Sequence, residues 1–211
     1  GGRAGGEQWR WLENELSTSS SALNVIVSSI QVLTTNPLVE SWGHFPREKR
    51  RLVELLGSEQ VKAKKVVLLS GDVHHAEFSK AGDILEVTSS GLSHSCTRPF
   101  YGFVCPLMLD SFREHRHDGF YYDRENFGLL HVEKDGTARV QIVGEDGGTV
   151  GEAWVGGRNG TGVVEWEKNV PHMLDGKVNL WFVAAVMSAA VLLIFVLGAF
   201  RGFYRRRQRQ R

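Results

Sequence analysis

Cysteine is scarce in this 211-residue chain, at two, and proline is scarce as well, at five. Two thiols cannot staple a disulfide-rich miniprotein. With 42% hydrophobic and 23% charged residues, a disordered or collagenous chain is excluded too. One-sided charge is also missing. The formal net charge is +1, without the basic bias of a nucleic-acid binder, so no nucleic-acid partner is expected. There is no internal repeat and no low-complexity tract. No methionine opens the chain, which begins GGRAGGEQW. No signal peptide can be sought at that end, and the sequence is expected to be part of a longer one. The length allows one domain and little more.

What is present is unevenly placed. The last eleven residues, RGFYRRRQRQR, hold six arginines and no acids, and removing those six charges leaves residues 1–200 at −5. Just before them, Leu180 to Phe200 run for 21 residues without a charge, Ser188 being the one polar side chain. A bilayer core about 30 Å thick takes roughly 20 helical residues. Trp181 and Tyr204 suit the two interfacial belts. Residues 180–200 are therefore expected to form a transmembrane helix. The basic flank fixes its direction: the 201–211 tail is cytosolic and residues 1–177 are lumenal or extracellular. Asn159-Gly160-Thr161 is a glycosylation sequon on the outer side. Cys96 and Cys105, spaced C-x8-C, can close one disulfide loop in an oxidising lumen or remain two buried thiols.

Along the ectodomain, Trp9, Leu12 and Leu16 lie at helical spacing within Glu7–Leu16, with Trp11 off the stripe. Leu23 to Val32 read as a strand, rich in β-branched residues. Pro46 starts a helix that ends at Gly57, with Leu52, Val53, Leu55 and Leu56 inward and a basic first turn outward. Val66 to Leu69 suit a strand buried on both faces. Further strands are expected at Ile84–Thr88, Phe127–Val132 and Ala138–Val143, the last two joined by Lys134-Asp135-Gly136. Residues 115–128 read as a solvated loop, and 144–162 as Gly-rich turns. Helix–strand–helix–strand followed by mostly strands suggests layered α/β.

The chemistry concentrates in Leu69-Ser70-Gly71-Asp72-Val73-His74-His75-Ala76-Glu77. It follows the carboxyl end of the 66–69 strand, where open α/β sheets place their ligands. In extended backbone Asp72 and His74 point to one side and His75 to the other. A carboxylate and an imidazole two residues apart can grip one or two metal ions. Glu77 is within second-layer hydrogen-bonding reach of a ligand histidine.

The ordered set QWRWLENEL, VIVSSIQVL, ESWGHFPREKRRLVELL, VVLLSGDVHHAEF and LEVTSSGLSH resembles the C-terminal half of a PhoD-like (alkaline phosphatase D-type) metallophosphatase, over roughly residues 7–133. That family belongs to the calcineurin-like metallophosphoesterases. The resemblance implies an α/β fold: part of a two-sheet sandwich with flanking helices. Gly71-Asp72-Val73-His74 resembles the final Gly-His-x-His ligand motif of the superfamily, with Asp72 in place of its first histidine. It implies Asp72 and His74 as metal ligands. Gln31 resembles the polar residue after the earlier strand, and His94 can reach a phosphate. Zn, Fe, Mn or Ca all accept such donors. The upstream ligand motifs of the superfamily should precede residue 7, and GGRAGG cannot serve for them.

The expected organisation is a partial phosphatase domain over 1–145, a Gly-rich strand/turn region and stalk over 146–179, a span over 180–200 and a tail over 201–211. The implied substrate is a small phosphate ester, mono- or diester. This chain by itself is expected to be inactive. The rival reading is a non-catalytic, membrane-tethered ectodomain for adhesion or partner binding.

Overall fold

A computed structural model of the chain describes residues 3–62, 64–96 and 104–155, together with Ser188. The chain divides into two units, Gly1–Gly176 and Lys177–Arg211, and every named element belongs to the first. Among the described residues no helix is long and apolar enough to cross a membrane. The expected span, apart from Ser188, lies outside them, as do the Arg-rich tail and Asn159.

The first helix, α1 (Arg3–Thr18), turns the predicted stripe inward. Leu16 is buried and Trp9 and Leu12 pack beside it, whereas Trp11 is exposed. It rests on α2 (Pro46–Leu56), where Trp9 Nε1 donates to Glu48 Oε2 at 2.8 Å and the Arg51 guanidinium lies 4.5 Å from the Trp9 ring. Pro at the first helical position suits α2, because its missing N–H has no partner there in any case. Leu52, Val53 and Leu56 are buried as the pattern requires, with Leu55 packed at the margin. One basic residue departs from the expected outward face. Lys49 is buried and its Nζ donates to Leu33 O at 3.3 Å and Thr34 O at 3.1 Å. Those two carbonyls belong to no ladder, so a long donor reaching them from α2 satisfies buried acceptors.

Strand β1 (Asn24–Val27) is shorter than the apolar run that encodes it. Farther along that run, Glu86 takes the N–H groups of Val32 and Leu33, at 2.7 and 2.6 Å. Those donors are therefore lost to any ladder, and the chain bends away. After a 3₁₀ turn (Trp42–His44), α2 and the short α3 (Glu59–Lys62), the chain enters β2 (Val66–Ser70). Then follow β3 (Ala76–Ala81), β4 (Ile84–Ser89), α4 (Val104–Ser111) and β5 (Arg116–Tyr122). The first sheet runs β1-β2-β4-β3-β5, with β1, β2 and β4 mutually parallel and β3 antiparallel to both neighbours. The meander β6 (Asn126–Val132), β7 (Ala138–Gly144) and β8 (Thr149–Val155) forms a second, antiparallel sheet. Its β6–β7 turn holds Gly136 at φ 75°.

Two stretches read as irregular are strands. Residues 116–122 form β5, and 149–155 form β8 against β7. Neither alternates in polarity, because β5 pairs polar residues with β3, and the glycines of 144–151 belong to the β7–β8 turn and to β8 itself. Two cores result. Leu33, Leu52, Val53, Leu56 and Leu68 join the helices to one face of the first sheet. Val67, Phe78, Val87, Val140 and Ile142 fill the space between the sheets, where the Phe78 and Phe120 rings stack at 4.6 Å. Each fully buried aliphatic side chain of these cores contributes about 1.5–3 kcal/mol. The architecture is helices, sheet, sheet: an α/β sandwich.

Candidate metal centre

Three parallel strands end at one edge of the first sheet, and the segments leaving them carry Gln31, the Asp72–His75 loop and His94. Open sheets bind ligands at such an edge. Asp72 and His74 are both exposed there and His75 is buried, the distribution that alternation suggests. The backbone achieves it differently. Residues 72–75 are bends rather than strand, and Asp72 and His74 adopt φ 69° and 60°. Asp and His tolerate this left-handed region better than most residues. The His74 and His94 rings approach to 6.1 Å between centroids, and His94 Nδ1 lies 3.1 Å from Ser93 Oγ. Sulfur joins Cys96, two residues on, to Cys105 in α4, with the Cα atoms 5.9 Å apart.

Beneath the loop lies a buried polar network centred on Glu77, which is 1% exposed. Its Oε1 accepts from Gln31 Nε2 at 2.5 Å, and His115 Nε2 stands 3.0 Å from the same oxygen. Its Oε2 accepts from Arg116 Nε at 2.5 Å. The β3–β5 register slips between Glu77 and Ser79, an irregularity of the kind that re-aims side chains. Gln31, also 1% exposed, donates in addition to Thr88 Oγ1 at 3.1 Å, and Thr88 meets Ser70 at 2.9 Å. Gln31 therefore ties the segment after β1 to β3 and β4.

Glu77 faces His75 rather than His74. The His75 Nδ1–H donates to Val73 O at 2.8 Å. Its Nε2 stands 3.4 Å from Glu77 Oε2 without hydrogen-bond alignment, and has no other partner among the described residues. Burial alone would push the Glu77 carboxyl up. The charge and hydrogen bond of His115, and then the adjacent His75 imidazole, outweigh it and hold the group well below the usual carboxylate range. Glu86 goes the other way: burial raises it, and the two backbone N–H donors only partly offset that.

The sequence did not reveal His115 or Arg116, which looked like members of a solvated loop. Their signal was weak: charges next to an aromatic run, Phe120-Tyr121-Tyr122. As for a metal, the donor types at this edge fit one, a carboxylate and an imidazole with a second imidazole close by. Their number does not complete a cage. Among the described residues, no three or more His, Cys, Asp or Glu side chains could together hold an ion.

Alkaline phosphatase D of Bacillus subtilis (strain 168) is 32% identical over 94 residues, covering 41% of this chain and 16% of that protein. A solved structure titled "Structure of PhoD" superposes with a TM-score of 0.47 at 19% identity, covering 70% of this chain and 31% of the other. The chain thus spans less than a third of either relative. The profile of the PhoD-like phosphatases matches residues 3–141, which is more than half of the sequence, and the chain belongs to that family.

Proposed function

We propose that this chain carries the C-terminal part of a membrane-anchored, metal-dependent phosphatase of the PhoD type, acting on small phosphate esters. The observation that carries the reading is the placement of Asp72 and His74, exposed at the carboxyl edge of β1, β2 and β4 with His94 alongside. Family membership supports it independently. In this reading Asp72 and His74 hold a Zn, Fe, Mn or Ca ion together with donors from polypeptide outside the described residues. Such an ion, when bound, acidifies a water and polarises a phosphoryl oxygen. The remaining residues orient. Gln31 and Glu77 fix the segments that leave β1 and β2, and His94 faces the phosphate.

Anchoring is inferred from the 21 uncharged residues followed by six arginines. The polar part would lie outside the cytosol, and Asn159 would be open to glycosylation. Carbonate extraction followed by ultracentrifugation tests the span: recovery of the protein in the supernatant refutes it. Glycosidase-sensitive mobility that disappears in Asn159→Gln supports the orientation.

Activity is tested by comparing this chain with a form extended at its N-terminus, assayed on aryl phosphate mono- and diesters with each metal. The extended form should turn over substrate and lose activity on His74→Ala. The present chain should be inactive. Metal-dependent turnover by the 211-residue chain, abolished by His74→Ala, would overturn the partial-site reading. Neither metal content nor turnover in the extended form would favour a non-catalytic ectodomain.

A further inference from the structure

A left-handed backbone at a non-glycine residue costs roughly 1–2 kcal/mol, and the Asp72–His75 loop has two such residues. Strain of this kind persists only where the surroundings over-determine it. Three hydrogen bonds do so here. The Val73 N–H donates to Ser90 Oγ at 3.2 Å, the His75 ring donates to Val73 O, and the Cys96 N–H donates to His74 O at 2.7 Å. Two of the three come from the segment 90–96, which also carries His94.

That segment belongs to no helix or strand, so something else must fix it. Its start is pinned where the Asn126 N–H donates to Gly91 O at 3.1 Å. Its far end is pinned covalently, through Cys96 to Cys105 of α4. Helix α4 is itself held from below. Cys105 and Leu109 are buried, and Arg116 Nη1 donates to Leu109 O at 2.5 Å. The same guanidinium donates to Glu77, which stands beside His75. The path from His74 through Cys96, the disulfide, α4, Arg116, Glu77 and His75 returns to its starting loop.

We propose that the Cys96–Cys105 bridge is a positioning element of the candidate metal centre. By fixing the Cys96 amide on the His74 carbonyl, it holds the strained loop closed and keeps His74 and His94 facing each other. The functional meaning rests on the reading of Asp72 and His74 as ligands; the geometry does not. A bridge acts mainly by removing freedom from the open ensemble. Here the ensemble in question is a local opening at the sheet edge, a smaller event than global unfolding.

The test uses the full chain in detergent micelles, with the bridge intact, with the bridge reduced by a phosphine, and in the double variant Cys96→Ser with Cys105→Ser. Amide exchange is followed over 71–76 and 90–96, and histidine-labelled protein reports the ring-to-ring Overhauser contact of His74 and His94. Opening the bridge should accelerate exchange in both segments about tenfold or more and abolish the ring contact, while β6, β7 and β8 keep their protection. A bridge with a merely stabilising role would accelerate exchange across the second sheet as well, and that outcome overturns the proposal. So does a retained ring contact with unchanged exchange, or two free thiols in protein purified without reductant from an oxidising compartment. No metal or turnover enters the readout. Failure here therefore leaves the phosphatase reading intact, and failure of that reading leaves this result intact.

Discussion

Gln31 and Glu77, 46 positions apart, meet side chain to side chain at 2.5 Å in the interior of the first sheet. β1 stops at Val27; beyond it Gln31 makes an isolated parallel bridge with Ser41, and its side chain is held by buried polar groups of β3 and β4. Every group so buried needs its partner, because an orphaned one is costly. The candidate site therefore sits on a layer of hydrogen bonds that tolerates little editing.

Replacing Glu77 by Gln keeps the shape and removes the charge that faces Arg116 and His115. At neutral pH the variant should lose about 3–5 kcal/mol, the usual result of breaking a buried pair on one side. The folded carboxyl titrates well below its ordinary value of 4.5. The stability it brings is present above that pH and is lost as pH falls through the folded value. The gap between wild type and variant should narrow in acid. Urea unfolding at a series of pH values measures it, and a gap constant down to pH 3 would contradict the assignment.

Glu86→Gln should behave with the opposite sign. Its folded carboxyl titrates above 4.5, so folding favours the protonated form and stability is lost as pH rises through that window. The variant is neutral throughout and should gain on the wild type as pH rises from 4.5. At low pH the comparison should favour the wild type slightly, because the amide cannot accept from both Val32 and Leu33 with oxygen.

His74 and His75 should separate cleanly. His74 is exposed but sits at φ 60°, so His74→Ala should change the stability of this chain by no more than about 1 kcal/mol. His75 is 1% exposed and bonded to Val73 O, so His75→Ala should cost about 1–3 kcal/mol. In an active extended form the activity losses should reverse in kind. His74→Ala should lower turnover of folded enzyme by at least about 10–100-fold, while His75→Ala should act mostly through the folded fraction. Thermal melts run beside activity assays distinguish the two.

Gly91 is required for space. A Cβ there would overlap the Asn126 amide and lie 2.8 Å from Arg124 O. Asn126 cannot swing aside, since it is held by Ser89 Oγ at 3.0 Å and donates to Arg124 O at 2.8 Å. Gly91→Ala should cost about 1–3 kcal/mol. Differential scanning calorimetry should show a lowered melting temperature, and an unchanged one would mean that β6 is not docked on this turn.

The elements legible in the sequence were those whose burial is one-sided or complete. The stripe of α1, the proline-started α2, the apolar β2 and the β6–β7 hairpin all follow from local pattern. β3, Ala76–Ala81, escaped because its buried positions include Glu77 and Ser79, which local polarity assigns to the surface. β5 escaped for the same reason at Arg116. Asp72 and His74 stood out through their place after β2, and the family through ordered motifs. The network under them did not. Nothing in local spacing joins Gln31 to Glu77, or Glu77 to His115, because those contacts exist only once the sheet has formed.

The strand order sets a sequence of assembly. The β3–β4 hairpin turns within two residues at Gly82 and Asp83, and β6, β7 and β8 follow one another directly. These can form within microseconds, as local contacts do. β1 reaches β2 only after residues 28–65 have been closed into a loop, and β2 meets β4 around the intervening hairpin. Parallel pairings between distant segments are the slow steps of folding. The edge that presents Asp72, His74 and His94 needs all three parallel strands in place. It is therefore expected to mature last, with the meander already structured.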